Sequence, residues 1–188
     1  MGKSKIWING VLVRKNFGSY YPIHIDISNY LNFEEQNVIA VRPDNSNDPL
    51  YPPGKDQEKL DFTYFGGIYR DVWLITHNDL YVTHPLAVDK KAGGGVFVHF
   101  ENLSEKSADV FTGVDIANEG PSKKVSLELR LEDFKETVVA KVKKTIPLDS
   151  KKSEKVSLKF EVKNPNLWTP DNPQLYNLFV TVNDEDGN

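Results

Sequence analysis

The sequence predicts an all-β chain, and three observations carry that prediction. Apolar and polar residues alternate with a period of two through most of its length, and no stripe at the helical period reaches helical length. Turn residues punctuate the alternation, as at Asn9-Gly10, Gly93-Gly94-Gly95 and Asn164-Pro165. With 188 residues, 39% of them hydrophobic and 11% aromatic, the chain is globular rather than disordered and fits one or two domains.

Ile6-Trp7-Ile8 and Val11-Leu12-Val13 flank Asn9-Gly10. Both turn residues tolerate positive φ, so a two-residue hairpin loop is expected, pairing Ile8 with Val11 and Trp7 with Leu12. The run from Tyr21 to Ile27 reads as a strand that Pro22 opens, with Ile23, Ile25 and Ile27 on one face. Ser28 is placed to cap a single helical turn through Leu31. Asn37 to Val41 is another strand, stopped by Arg42-Pro43. Residues 44–53, rich in Asn, Asp and Pro, form an irregular loop of the kind that carries binding residues beside a rigid sheet. Val72-Trp73-Leu74-Ile75-Thr76 reads as the strand that closes this region. About five strands with two apolar faces do not close on themselves. Residues 1–78 are therefore expected to be a sandwich entered midway.

The composition shifts after His77. Seven alternating runs follow: Leu80–Val88, Val96–Glu101, Asp109–Ala117, Lys124–Leu131, Thr137–Ile146, Lys155–Val162 and Leu175–Val182. Short strands at this spacing are the pattern of an immunoglobulin-like sandwich over residues 79–188. The match is to architecture alone, because the Cys-Trp-Cys core of antibody domains is absent.

Composition also excludes several chemistries. A net charge of −4 argues against nucleic acid as a partner. The lysines at 123, 124, 141, 143, 144, 151 and 152 are interleaved with Glu128, Glu132, Asp133, Glu136 and Asp149, so they read as a solvated strand face. With no cysteine there is no disulfide, thiolate metal site or cysteine nucleophile. No apolar stretch approaches the roughly 20 residues of a membrane helix, and no signal peptide is recognisable in this chain. The compartment stays open between cytoplasm and periplasm.

The most informative run is Phe65-Gly66-Gly67-Ile68-Tyr69-Arg70-Asp71-Val72-Trp73-Leu74. The glycines read as a tight corner into a strand. Arg70 and Asp71 point to opposite faces of that strand, so Arg70 is expected to bond a carboxylate or backbone carbonyls across the sheet. Asp61 precedes the corner in an aromatic-rich stretch, Lys59-Leu60-Asp61-Phe62-Thr63-Tyr64-Phe65. A carboxylate beside aromatic rings can grip a sugar, accepting from hydroxyls while the rings stack on C–H faces. An exposed loop aspartate is the plain alternative. His24 and Asp26 alternate onto one strand face, but without a third ligand they do not make a metal site. Asn118-Glu119, followed by Gly120-Pro121, reads as a hairpin turn. No Ser-His-Asp arrangement, phosphate loop or dinucleotide-binding glycine pattern is present.

These segments, taken in order, resemble glycoside hydrolase family 2, the family of β-galactosidases, β-glucuronidases and β-mannosidases. Trp7-Ile8-Asn9-Gly10 is similar to the hairpin of its sugar-binding domain. Gly18 to Ile27 resembles its Gly-Tyr-x-Pro-Phe-x-x-Asp-Ile strand, and Asn37 to Arg42 with Asp44-Asn45 follows as in the family. Asp61-Phe62 with Tyr64 to Val72 is similar to its closing signature. Asn166 to Tyr176 resembles a segment late in its immunoglobulin-like domain. The implied fold is a partial jelly-roll sugar-binding β-sandwich followed by an immunoglobulin-like β-sandwich. The resemblance implies that Asp61, six residues before Gly67, reaches the active site of a complete enzyme and contacts the sugar. It implies no catalytic residue and no cofactor in this chain, with sodium (Asp61 a neighbour) or magnesium belonging to a full-length enzyme.

Family 2 enzymes are retaining glycosidases, which need two carboxyl groups about 5–5.5 Å apart. In the family both are glutamates on a (β/α)₈ barrel, and no strand-helix alternation of that kind occurs here. The expectation is a non-catalytic N-terminal portion of a β-galactosidase-like enzyme, inactive alone. Its partners would be the barrel, a carbohydrate substrate and further copies of itself; neither nucleic acid nor membrane is expected. A free-standing carbohydrate-binding module and a structural β-sandwich interaction protein are the alternatives.

Overall fold

The computed structural model describes residues 2–18, 20–50, 54–62, 65–88 and 90–187. Of the residues singled out above, Thr63 and Tyr64 lie outside the described residues, as do Ser19 and the end of the 44–53 loop. The chain divides into two compact units, Met1–Ile75 and Thr76–Asn188. All its described sheets are antiparallel, and the described residues contain no α-helix.

The first unit is built on the hairpin of β1 (Lys3–Ile8) and β2 (Val11–Phe17). Ile8 pairs with Val11 and Trp7 with Leu12, the register that a two-residue loop dictates. Asn9 (φ 48°) and Gly10 (φ 81°) supply the positive φ values. β3 (Ile39–Asp44) adds to the other edge of β1, giving the order β2-β1-β3.

Four expectations change in this unit. The strand does not stop at Arg42-Pro43, because Pro43 lies on an edge strand opposite Ser4 and a missing N–H is tolerated there. Tyr21–Ile27 forms no strand; Ile23, Ile25 and Ile27 are half-buried between exposed neighbours, but no ladder pairs them. A single 3₁₀ turn does span Ser28–Tyr30, yet Ser28 does not cap it. Asp26 holds this turn instead, its Oδ1 accepting from the Ser28 N–H at 2.9 Å and hydroxyl at 2.7 Å. Val72–Thr76 is likewise outside any strand, and Val72 to Ile75 are 65% to 77% exposed.

In the second unit seven strands stand where the seven runs are: β4 (Leu80–Val82), β5 (Val96–Glu101), β6 (Ser107–Asn118), β7 (Lys123–Glu132), β8 (Val138–Leu148), β9 (Lys152–Lys163) and β10 (Asn177–Asn183). One sheet has the order β10-β7-β8. The other is organised on β6, which pairs with β9 over its full length. The opposite edge of β6 takes β5 along Asp109–Val114 and β4 along Ile116–Asn118. Between them lies Asp115, whose C=O accepts from Thr83 N–H (2.9 Å) and whose N–H donates to Gly95 C=O (2.9 Å). β4 and β5 thus form one strand line, broken by an excursion over residues 84–94. This excursion is why the run expected to reach Val88 ends at Val82. Lys90 reaches back from it to both Asp115 carboxylate oxygens, at 3.0 and 3.1 Å, and to the Ser153 hydroxyl at 3.1 Å.

The two sheets face each other. Val114, Ile116, Val156 and Leu80 pack against Val125, Leu127, Leu129, Ile146 and Leu148. Positions two apart supply each strand's contribution, as the alternation requires. Asn118-Glu119-Gly120-Pro121 is not a hairpin turn, because β6 and β7 belong to different sheets. It is an arch between them. Asn118, wholly buried, donates to the carbonyls of Pro121 (2.8 Å), Leu148 (3.3 Å) and Asp149 (3.3 Å), and its Oδ1 accepts from Gly120 N–H (3.1 Å). Of the lysines named above, Lys141 pairs with Glu128 at 2.8 Å and Lys123 with Asp184 at 3.0 Å, from opposite faces of the sheet, so the lysines do not form one strand face.

Leu127→Ala should lower the unfolding free energy of the second unit by about 2–5 kcal/mol in a urea titration. Phe97→Ser, on exposed β5, should change it by less than about 0.5 kcal/mol. Equal effects would show that the core is not where these contacts put it.

Candidate functional site

The polar segment after β3 is held by its own side chains. Asp44 Oδ1 accepts from the Ser46 N–H (3.0 Å) and hydroxyl (2.7 Å), and Asp48 Oδ1 accepts from Leu50 N–H (2.9 Å). These are aspartate turns, the local bonding that suits Asp to such loops. Lys3 on β1 forms an ion pair with Asp48. Asn47 ties the loop to a second 3₁₀ turn, Gln57–Lys59: its Oδ1 accepts from Gln57 N–H (3.1 Å) and its Nδ2 donates to Asp56 (3.3 Å). Gln57 returns the contact by donating from Nε2 to the Asn45 carbonyl at 2.6 Å.

Asp61 lies in a bend directly beyond that turn, exposed. Among the described residues its carboxylate has no hydrogen-bond or ion-pair partner. Four residues on, Phe65 is exposed and Gly66 opens the corner. A Cβ at Gly66 would sit 3.2 Å from the Asn45 side chain, so the corner passes close over the loop. Gly67, at φ +88°, takes a conformation that side chains disfavour. The loop, the 3₁₀ turn and the glycine corner are therefore joined through Asn45, Asn47 and Gln57. The sequence reading singles out Asp61 but not Asn47 or Gln57. Their only signal is an Asn/Asp-rich composition, which names no partner.

Other singled-out residues fall differently. Among the described residues Arg70 bonds no carboxylate or carbonyl across a sheet; it lies over the Tyr69 ring at 5.6 Å, and Tyr69 meets Tyr20 edge-on at 5.9 Å. The physical reason is that residues 68–75 belong to no sheet. His24 and Asp26 do not share a strand face, since their segment is not a strand. Among the described residues, no three His, Asp or Glu side chains converge as a metal site would need. A hollow lined by Gly2, Asn45, Ser46, Asn47, Asp48, Lys55 and Gln57 measures about 10 Å³. It is the size of one water and not of a sugar ring.

In the second unit the Asn166–Tyr176 segment forms a tight turn. Thr169 and Asn172 exchange backbone bonds at 3.1 Å, and the Tyr176 hydroxyl accepts from Asn166 N–H at 2.7 Å. Tyr176 packs on Val110, Leu131 and Val162, tying this turn to the sandwich.

The model of glycosyl hydrolases family 2 matches residues 95–188, half of the chain. The chain belongs to glycoside hydrolase family 2. The matched stretch is the family's immunoglobulin-like domain. A β-glucuronidase of Formosa agariphila is 33% identical over 94% of this chain and 18% of its own length. A β-galactosidase of Thermoanaerobacter pseudethanolicus is 30% identical over 95% of this chain and 22% of its own. A solved β-glucuronidase of glycoside hydrolase family 2 superposes with a TM-score of 0.86 at 30% identity, covering 99% of this chain and 20% of that one. The chain thus spans about a fifth of the length of the family 2 relatives it matches.

Within this family 2 chain the loop of the first unit is electrostatically tuned. A side-chain hydrogen bond from Ser46 holds the Asp44 carboxyl below the usual carboxylate range, Lys3 does the same for Asp48, and Lys59 with Asn47 for Asp56. The hydrogen bond to Asp48 raises Lys3. A carboxyl lowered on folding stabilises the fold above its unfolded pKa and loses that contribution as pH falls through the lowered value. The raised lysine acts oppositely, stabilising below its unfolded pKa and fading only in strong alkali. Below pH about 4 the amide signals of Ser46 and Leu50 should therefore titrate in NMR spectra. The Val38 N–H, held by neutral Asn9 Oδ1 at 2.8 Å, should not. Identical responses from all three would show that the carboxylates do not hold the loop.

Proposed function

We propose that this chain is a non-catalytic portion of a retaining β-glycosidase that removes terminal β-linked galactose or glucuronic acid, with β-galactosides the first substrates to test. The observation that carries the reading is the exposed Asp61 carboxylate, unpartnered among the described residues and held next to a self-bonded loop in a chain of this family. A carboxylate with all its acceptor positions open can take hydrogen bonds from sugar hydroxyls. Both catalytic carboxyl groups would lie on a barrel outside these 188 residues. Sodium or magnesium, where used, would be held mainly by that part too.

The exposed run Val72–Ile75 and the exposed strand β5 are surfaces on which a barrel, or further copies of the chain, would dry apolar side chains. In that arrangement the two units buttress the barrel, and Asp61 forms part of the pocket rim.

The purified 188-residue chain should not hydrolyse nitrophenyl β-galactoside or β-glucuronide. Measurable turnover of either would overturn the reading. In the full-length enzyme Asp61→Ala should lower kcat/KM by about 1.5–3 kcal/mol of transition-state stabilisation. An unchanged kcat/KM would favour a purely structural role, and calorimetric binding of a free sugar by the chain alone would favour a self-sufficient carbohydrate-binding module. Sedimentation of the chain should depend on concentration, and a stable monomer would remove the case for self-association.

A further inference from the structure

The hairpin turn of the first unit carries an Asn-Gly pair, a sequence prone to deamidation. In an Asn-Gly pair the glycine N–H has no neighbouring Cβ to screen it, so it can attack the asparagine side-chain carbon. Gly10 is exposed, and a Cβ there would meet nothing within 4 Å, so bulk does not shield it. What restrains the reaction is the hydrogen bonding of the Asn9 amide. Its Nδ2 donates to the Tyr30 carbonyl at 2.8 Å and to Asn37 Oδ1 at 2.8 Å, and its Oδ1 accepts from Val38 N–H at 2.8 Å. The Asn9 backbone N–H adds a bond to the Val38 carbonyl at 2.9 Å. Turning the side chain towards Gly10 N breaks all three side-chain bonds at once.

We propose that Asn9 is a modification site that the folded first unit protects, and whose deamidation accumulates irreversibly with the time that unit spends open. In the open state the Gly10 nitrogen bonds to Asn9 Cγ, ammonia leaves, and a five-membered imide forms. Water then opens the imide at either carbonyl, leaving aspartate or isoaspartate in place of Asn9. The net change is one water consumed and one ammonia released, with no oxidant or reductant.

The product cannot remake the native contacts. A carboxylate in place of the Asn9 amide has no proton to donate, yet it faces two acceptors, the Tyr30 carbonyl and Asn37 Oδ1. Rotating the Asn37 amide only moves the mismatch. Its Oδ1 already accepts from Asn32 N–H at 2.8 Å, and its Nδ2 donates to the Asn32 (2.8 Å) and Glu35 (3.1 Å) carbonyls. Isoaspartate also adds a backbone methylene to a two-residue turn that sets the register of β1 and β2. Among the described residues the buried apolar side chains of this unit are Ile6 and Ile8. So small a core leaves opening to be opposed largely by hydrogen bonds.

The test follows the tryptic peptide of residues 6–14 by mass spectrometry while the chain is held at mildly alkaline pH and body temperature, once in buffer and once in urea. Deamidation in buffer should be at least about tenfold slower than in urea, because only the open fraction reacts. Equal rates would overturn the proposal. The variant Asn9→Asp stands in for the product. In hydrogen exchange its segment 28–38 should lose protection relative to the unmodified chain, while β7 keeps it. Unchanged protection of that segment would show that nothing is recorded.

Discussion

Strand β6 has two edges and two faces, and the second unit uses all four. One edge belongs to β9 from end to end, and the other is shared in sequence by β5 and β4. The inward face carries Val110, Thr112, Val114 and Ile116 into the core. The outward face, which an antiparallel sheet usually leaves to water, is shut as well at its far end. Lys90 covers Asp115, and the Lys155 stem comes within 2.6 Å of where a Cβ on Gly113 would lie. A strand enclosed this way has little freedom to slip, because a one-residue shift would turn every core residue outward. The passage from β8 to β9 between the sheets, and the Asn118 arch that leads to β7, depend on where β6 ends.

The first unit has a different balance. Its sheet is three strands, and its described buried core is small. Order is carried by side-chain amides: Asn9 and Asn37 join the hairpin to the segment before β3, and Asn47 and Gln57 join the loop to the second 3₁₀ turn. Exposed bonds of this kind contribute about 0.5–1.5 kcal/mol each. They define geometry well while opposing unfolding only modestly, which is consistent with the rim role proposed above for Asp61.

How far the sequence foretold these arrangements depended on whether the deciding partner lay nearby in the chain. Asn9-Gly10 specifies its turn locally, so the hairpin register was legible to the residue. The seven strands of the second unit were legible because alternation reports which face of a strand is buried. Alternation does not report which strand lies alongside. Residues 21–27 and 72–76 have the pattern of strands and form none, and Asn118–Pro121 reads as a hairpin while spanning two sheets. Asp61 could be singled out from its aromatic neighbours and its family resemblance. The asparagine and glutamine contacts that frame its segment could not, since a side-chain amide carries no sign of where it bonds.

The broken strand line at Asp115 has one more implication. Thr83 and Gly95 meet the same residue from either side, and the Gly95 N–H donates to the Thr83 hydroxyl at 3.0 Å. The line therefore resumes where it left off, however the chain travels in between. Closing a longer loop costs only about 0.6 kcal/mol for each doubling of length. Sequence inserted in this excursion, grown by evolution or grafted by an engineer, would therefore leave the strand pairing unchanged so long as Lys90 kept its place on Asp115.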